Sequence, residues 1–368
     1  MFDGYGINTE SSIESFSAAV FANVDWAVTK QFHIQPGIRY NFDKKDVVYD
    51  RKTYGGLQTD DPALLALKKL VYSDQYFATG ADETNFTYSL TLNYKPTERY
   101  SVYGTFSTAF KPVGVNVAGL PTIDGQVAID LATIKPEYVT HFEAGAKTTP
   151  VDGLTLNVTF YNTSIEDYQT NVQSPQLGVN RGYIANAEKV NVKGAELDVN
   201  WRASQNFKLF GALAYTDGKY KKFTNAPLPL EEVGSTQDGQ QLAFKDISGG
   251  KLPGISNWGG SLGAEVTSNT VNVLNLPGYL FVGGDTFFRS EFSSSPSPSE
   301  YLNISGYYLL NARAGFRALD GLSFSVWSRN LLNNNYEEQL LPGAGSTGQY
   351  AAVLGDPRTY GITLRYEF

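Results

Sequence analysis

No cysteine occurs in the 368 residues, which excludes a disulfide framework and any thiolate metal site. Histidine is almost as scarce. The two present, His33 and His141, fall on the polar sides of predicted strands, where a hydrated wall position accounts for each. No G-x-S-x-G, H-E-x-x-H or phosphate-cradling loop is present, and the glycines between Gly278 and Gly284 lie inside a predicted strand, where they serve close backbone packing. We therefore read the chain as non-enzymatic, with no cofactor and no metal. Positive charge is in deficit, 29 Lys and Arg against 37 Asp and Glu for a net charge of −8, which argues against a nucleic-acid partner. Long apolar runs are missing too: charged residues make up only 18%, yet no stretch reaches the ~20 apolar residues of a membrane-spanning helix. The opening, Met1-Phe2-Asp3-Gly4-Tyr5-Gly6, has neither the basic nor the apolar region of a signal peptide. For an exported chain this places the true N-terminus upstream.

What the sequence has in quantity is aromatic residues, 24 Tyr and 22 Phe against one Met, and they recur in period-2 rows. Phe86, Tyr88, Leu90, Leu92 and Tyr94 alternate with Thr87, Ser89, Thr91 and Asn93. The same alternation runs through Phe16 to Trp26, Ile34 to Phe42, Leu154 to Phe160, Ala195 to Trp201, Phe207 to Tyr215, Tyr308 to Phe316, Leu322 to Val326 and Tyr360 to Phe368. One face of each row is apolar and the other polar, the form of transmembrane strands. A soluble β-sandwich also alternates, and the connections distinguish the two. Short turns near 29–30, 95–98, 150–153, 204–205 and 318–321, and a longer one at about 268–275, take every second place. Between them lie long segments at about 44–83, 112–136, 168–184, 221–254, 291–304 and 335–357. Short periplasmic turns alternating with long external loops are the construction of outer-membrane barrels.

Aromatics flank the short turns (Trp26 and Phe32, Tyr94 and Tyr100, Trp201 and Phe207), as expected of a girdle at one membrane interface. The first long segment predicts a short helix, with Asp61 as N-cap, Pro62 at the first helical position and Leu64, Leu67 and Val71 on one face. Pro36 falls inside a predicted strand, which requires a place where a missing donor is tolerated. Six short turns and six long loops imply about thirteen strands, and bacterial single-chain barrels have even counts. The odd number points to a fragment, with residues 1 to about 11 as the tail of a severed loop.

Several segments, in order, resemble TonB-dependent outer-membrane receptors, and the resemblance covers nearly the whole chain. Ile134-Lys135-Pro136-Glu137 followed by His141 to Lys147 is similar to the family's "kPE…yElGlK" strand. Tyr103 to Pro112 resembles the strand that enters a long external loop. Val192 to Leu197 is similar to the "GvEle" strand, Gly249 to Pro253 to the "Gk.Lp" element, and Ser328 to Tyr336 to the "vrNLfdk.Y" segment. The terminal LRYEF resembles the strand read by the barrel-assembly machinery, with Leu364, Tyr366 and Phe368 as its signal.

The resemblance implies an all-β, antiparallel transmembrane β-barrel of 22 strands around an N-terminal plug, an architecture known for such transporters. About 13 of those strands are present and the rest lie upstream, so residues 1–368 are expected to be the C-terminal part of the barrel, without plug, signal peptide or energy-coupling box. It further implies a multi-pass protein of the Gram-negative outer membrane. Its partners would be outer-membrane lipid, the assembly machinery, a TonB-type energy-coupling protein acting through the plug, and a small ligand, with a ferric siderophore first. Glycan or cobalamin import, and a passive porin, are the alternatives. The alternation places Arg39, Asp43, Lys111, His141, Glu143, Lys147, Glu196, Asp198, Arg313, Arg317 and Arg329 on the polar, luminal wall. Ligand contacts are expected on the loops, with Tyr72, Tyr76, Phe77, Lys111, Tyr336 and Tyr350 as candidates. The aromatic members would stack either on a planar ligand or on one another.

Overall fold

The computed structural model describes the whole chain except residues 1, 118, 121, 124–125, 174–181, 233, 238–239, 243, 343–348 and 368. Thirteen strands lie side by side in chain order in one antiparallel sheet. They are β1 (Gly6–Asn23), β2 (Phe32–Tyr54), β3 (Gln75–Thr97), β4 (Tyr100–Lys111), β5 (Glu137–Thr148), β6 (Leu154–Gln173), β7 (Gly182–Arg202), β8 (Phe207–Lys222), β9 (Trp258–Thr267), β10 (Leu276–Arg289), β11 (Tyr307–Ala318), β12 (Leu322–Arg329) and β13 (Thr359–Tyr366). Two short pieces, Trp26–Ala27 and Val271–Val273, add to β2 and β10 at the short turns. The predicted strand count and the predicted order of short and long connections are both observed.

Register carries the alternation from strand to strand. Tyr40 pairs with Phe86, Leu90 with Phe106, Phe106 with Phe142, Ala144 with Phe160 and Phe160 with Ala195. Leu197 pairs with Leu213, Val266 with Val282, Leu280 with Phe316, Phe316 with Phe324 and Phe324 with Leu364. Because side chains alternate faces with period two, this register lays every apolar row on one face of the sheet. A slip of one residue in any pair would turn that row over.

The apolar face is uncovered: Phe86 is 61%, Val282 64% and Ile362 71% exposed. Total accessible surface is 21718 Å², against roughly 14,500 Å² for a compact soluble globule of this mass. Among the described residues no second sheet seals the Phe86 to Tyr94 row, so the sandwich reading fails. Aromatics also meet across strands at the long-loop end of this face. Tyr40 lies 4.8 Å from Phe86, Phe106 4.8 Å from Phe142 and Tyr215 4.9 Å from Trp258, between ring centroids. The short-turn girdle predicted from sequence thus has a counterpart at the opposite edge of the apolar belt.

The hairpins at the long-loop end extend further than expected. β1 starts at Gly6, paired with Tyr54, so residues 6–11 are strand, not a loop tail. The segment expected as a loop at 44–83 is strand except for 55–74. The reason is an inversion of pattern. Above the belt, Val47, Tyr49 and Phe77 are apolar yet lie on the otherwise polar face, each 1% exposed, because loop residues cover them. The helix α1 (Pro62–Val71) forms as predicted, with the Asp61 carboxylate accepting from the Ala63 amide at 2.8 Å. Leu67, however, is exposed rather than packed.

Pro36 is accommodated where β1 ends. Its carbonyl accepts the Val24 amide at 3.1 Å, and pairing to β2 resumes only at Trp26. Of the proposed assembly signal, Leu364 and Tyr366 stand exposed on the apolar face, and Phe368 lies outside the described residues.

Candidate functional site

The polar face carries the predicted charged wall, and each residue placed there by alternation has the matching register position. Its densest part spans three strands. Glu265 on β9 accepts from Arg317 at 2.7 Å and from Arg313 at 3.3 Å, both on β11. Arg313 also reaches Asp285 on β10 at 3.2 Å, and Asn311 donates to the same carboxylate at 2.8 Å. Arg317 lies over the Phe281 ring at 3.8 Å. In the sheet's other half, on β4 to β6, Tyr103 donates to Glu143 at 2.8 Å, His141 meets Thr163 at 2.8 Å, and Lys147 sits over the Tyr103 ring at 5.6 Å. Gly145 lies beneath that ring, where a Cβ would come within 2.8 Å of it. Glu196 and Asp198 are exposed on the same wall. Arg39 bonds Asn41 and lies 5.6 Å from Phe21, Asp43 accepts from Ser17, and Arg329 sits 5.4 Å from Trp327. Charges so arranged are hydrated or paired, which a wide polar lumen permits and a hydrocarbon face would penalise.

Above this wall the long segments fold back over the polar face and build two apolar cores. In one, Leu120 and Ala132 of segment 112–136 cover Val47, Tyr49 and Phe77, with the Tyr49 and Phe77 rings stacked at 4.9 Å. In the other, Val172, Tyr183, Val190, Tyr220, Phe223 and Leu252 pack the ends of β6, β7 and β8 against segment 223–257.

Buried polar side chains close off the loop backbone, as buried groups require. The Gln75 amide exchanges two bonds with Leu120, donating at 2.7 Å and accepting at 3.0 Å. Asn116 donates to the Leu131 carbonyl at 2.6 Å and the Ile184 carbonyl at 3.0 Å, and accepts the Ile184 amide at 2.8 Å. Glu137, from the K-P-E motif, accepts the Gln169 amide at 2.7 Å and Lys111 at 3.3 Å, pinning the neck of segment 112–136. Asn330, from the N-L-L motif, donates to Asn334 and Asp356 carbonyls and accepts the Asn334 amide, shaping the turn into the last loop. Sequence reasoning noticed both motifs without assigning them a task. Replacing Glu137 with Leu leaves the buried Gln169 amide without an acceptor, a cost of about 1–3 kcal/mol. Faster proteolysis of segment 112–136 than in the unaltered chain is the expected readout.

The candidate contact residues divide. Lys111, on the polar face, is half-exposed beside Glu137. Close by, a cleft of about 340 Å³ is lined by Arg39, Asn41, Asp43 and Thr87. Tyr72 packs against Tyr5 at 6.0 Å at the end of α1. Tyr76 is exposed, but its register with Asp50 puts it on the outward side. Phe77 is sealed in a core, and the Tyr336 ring rests on Tyr307 at 4.6 Å. Of the two uses open to these aromatics, Phe77 has the packing one, sealed at 1% exposure, while Tyr336 is half-buried with its ring tilted against Tyr307.

Tyr350 joins three loops. Its hydroxyl donates to Glu231 and meets Ser299 at 3.1 Å, and its ring stacks on Tyr301 at 5.4 Å. Burial, and then the bond to Glu231, push the Tyr350 phenol up to about 12. Burial opposes ionisation of Glu231, but hydrogen bonds from Ser299 and Tyr350 outweigh it and hold the carboxyl below its usual value. The tie therefore persists while Glu231 is charged and is lost as pH falls through its depressed pKa; it fails at the other end as Tyr350 ionises. Titration of tyrosinate absorbance should show that Tyr350→Phe removes one of the groups ionising near 12, while the buried Tyr220 keeps its own.

A sheet with one face apolar and bare, aromatic rims at both edges of that face, and a charged opposite face under inward-folded loops is the wall of an outer-membrane β-barrel. Residues 2–331 match the family model described as TonB dependent receptor-like, beta-barrel, and the chain belongs to that family. It is 22% identical over 357 residues to the pesticin receptor of Yersinia enterocolitica, an alignment covering 95% of this chain and 43% of that one. It is 24% identical over 283 residues to the ferric-pyoverdine M114 receptor PbuA of a Pseudomonas species, covering 74% and 28%. The solved ferric yersiniabactin uptake receptor FyuA of Yersinia pestis superposes with a TM-score of 0.71 at 18% identity, over 98% of this chain and 47% of that one. The siderophore receptor PiuA of Acinetobacter baumannii gives 0.65 at 18% identity, over 97% and 44%. The chain thus spans less than half the length of these relatives. The apolar face is the lipid side and the polar face the luminal side of the barrel wall, in the outer membrane.

Proposed function

We propose that residues 1–368 form the C-terminal part of the barrel of an energy-coupled importer, and that its cargo is a ferric siderophore. The observation that carries the reading is the alignment along 95% of the chain with a pesticin receptor, together with a fold shared with yersiniabactin and other siderophore receptors. The charged luminal wall fits a lumen that holds a polar plug, with Glu196, Asp198 and the Arg313–Glu265–Arg317 cluster facing it. Ligand selection falls to the inward-folded loops and the rim cations Arg39 and Lys111. A TonB-type protein acting through the plug supplies the energy, and the barrel-assembly machinery inserts the sheet by its last strand.

The test is uptake by iron-starved cells carrying or lacking the gene, using a panel of radiolabelled ferric chelates. Import of at least one chelate should require the gene and stop when a protonophore collapses the inner-membrane gradient. Gene-dependent import that continues in the protonophore would mark a passive pore. Import indifferent to the gene for every chelate would remove the iron reading.

A further inference from the structure

We propose that the lipid side of the barrel holds a specific site for a phosphate-bearing lipid of the outer leaflet, where β7, β8 and β9 leave the hydrocarbon. A cleft of about 560 Å³ opens there. Its floor is the Tyr215–Trp258 pair of the outer aromatic rim, and below it Leu213 and Leu262 stand exposed in the apolar belt. Its upper wall carries Lys219 and Lys251, which are bridged backbone to backbone. Lys193 joins them from β7, because it pairs with Asp217 on the same outward face.

The local charges do not cancel. Lys193 at 3.9 Å and Lys219 at 3.1 Å share the single carboxylate of Asp217, while Lys251 has Glu291 at 3.2 Å. Three ammonium groups thus face two carboxylates directly above an aromatic rim. On β1, β2 and β3, the outward residues beyond the Tyr40–Phe86 aromatic pair, Glu14, Lys44, Asp46 and Asp82, set one cation against three anions. An amphiphile with acyl chains along Leu213 and Leu262 and an anionic head among the lysines matches the first sector and is repelled by the second. Lysine stems lying along apolar surface with their ammonium groups at headgroup level are suited to this task. A phosphate monoester offers Lys193 and Lys219 an acceptor stronger than the one carboxylate they share.

The protein is extracted from outer membranes in mild detergent and placed in phosphatidylcholine nanodiscs. These contain a minor fraction of a phosphorylated, multiply acylated glycolipid or of its dephosphorylated form, and retained lipid is counted by native mass spectrometry. The phosphorylated lipid should be retained, and Lys193→Gln, Lys219→Gln and Lys251→Gln together should reduce retention roughly tenfold. The corresponding triple arginine variant should keep it, and Lys44→Gln should leave it unchanged. Resistance of each variant to unfolding in cold dodecyl sulfate verifies the barrel. Equal retention of the dephosphorylated lipid, or undiminished retention by the folded glutamine variant, would overturn the proposal. Displacement by millimolar inorganic phosphate would assign the site to the free anion instead.

Discussion

Arginine in place of Leu90 or Leu92 is expected to cost about 2–4 kcal/mol of barrel stability in a lipid bilayer, whereas arginine in place of Thr91 costs close to nothing. Leu90 is central in the outward row from Phe86 to Tyr94, and its register partners Pro36 and Phe106 are outward as well. A guanidinium there loses water with no counter-charge within reach. Thr91 points to the lumen, where its hydroxyl meets that of Thr105 at 2.9 Å, and an arginine would be hydrated. Urea titration of protein folded into vesicles measures the difference. Equal losses at the two positions would contradict the assignment of faces.

The second large effect is expected at Asn116. Its side chain is 3% exposed and makes three short hydrogen bonds, to Leu131 and to both backbone groups of Ile184. Leucine at this position removes the partner of three part-buried backbone groups, each worth about 1–3 kcal/mol when unsatisfied and fully enclosed. Relaxation and water entry recover part of that, so a local opening penalty of about 2–4 kcal/mol is expected, which corresponds to roughly hundredfold faster amide exchange or more at residues 115–132. Amides in the belt, such as those of β4 and β5, should be unaffected. Exchange unchanged in segment 113–132 would show that apolar packing on Val47 and Phe77 alone holds the loop.

The sequence made the membrane belt legible because one physical constraint governs it: every second side chain meets hydrocarbon. That constraint fails beyond the belt, and the reading failed at the same place. Val47, Tyr49 and Phe77 continue the strands but reverse the polarity of the faces, so an alternation rule reads 44–54 as loop. The outer aromatic rim was missed for a related reason. Tyr40 and Phe86 are 46 positions apart in the chain, and only the pairing of β2 with β3 shows that they adjoin.

The loop contacts were the least accessible to pattern reading. Asn116 and Ile184 lie 68 residues apart and bond through a side-chain amide, a pairing that carries no periodic signal. The motifs that revealed the family did so as strings of residues, while their physical tasks became visible only in three dimensions. Glu137 secures the neck of a loop, and Asn330, with φ of 46°, closes the turn after β12. The candidate stacking residues illustrate the limit. An aromatic in a loop is equally suited to a ligand or to a neighbouring ring, and for Phe77 and Tyr336 the neighbours are Tyr49 and Tyr307.

The absence of cysteine makes the most direct test available, because a single spin label can be attached at any chosen position without background. Labels placed one at a time from 86 to 94 and examined in vesicles by power-saturation spectroscopy should show a two-residue rhythm. Positions 86, 88, 90, 92 and 94 should be relaxed by oxygen dissolved in the bilayer, and 87, 89, 91 and 93 by a water-soluble nickel chelate. Nine positions with no such rhythm, or with all labels shielded from both reagents, would contradict a wall that separates lipid from water.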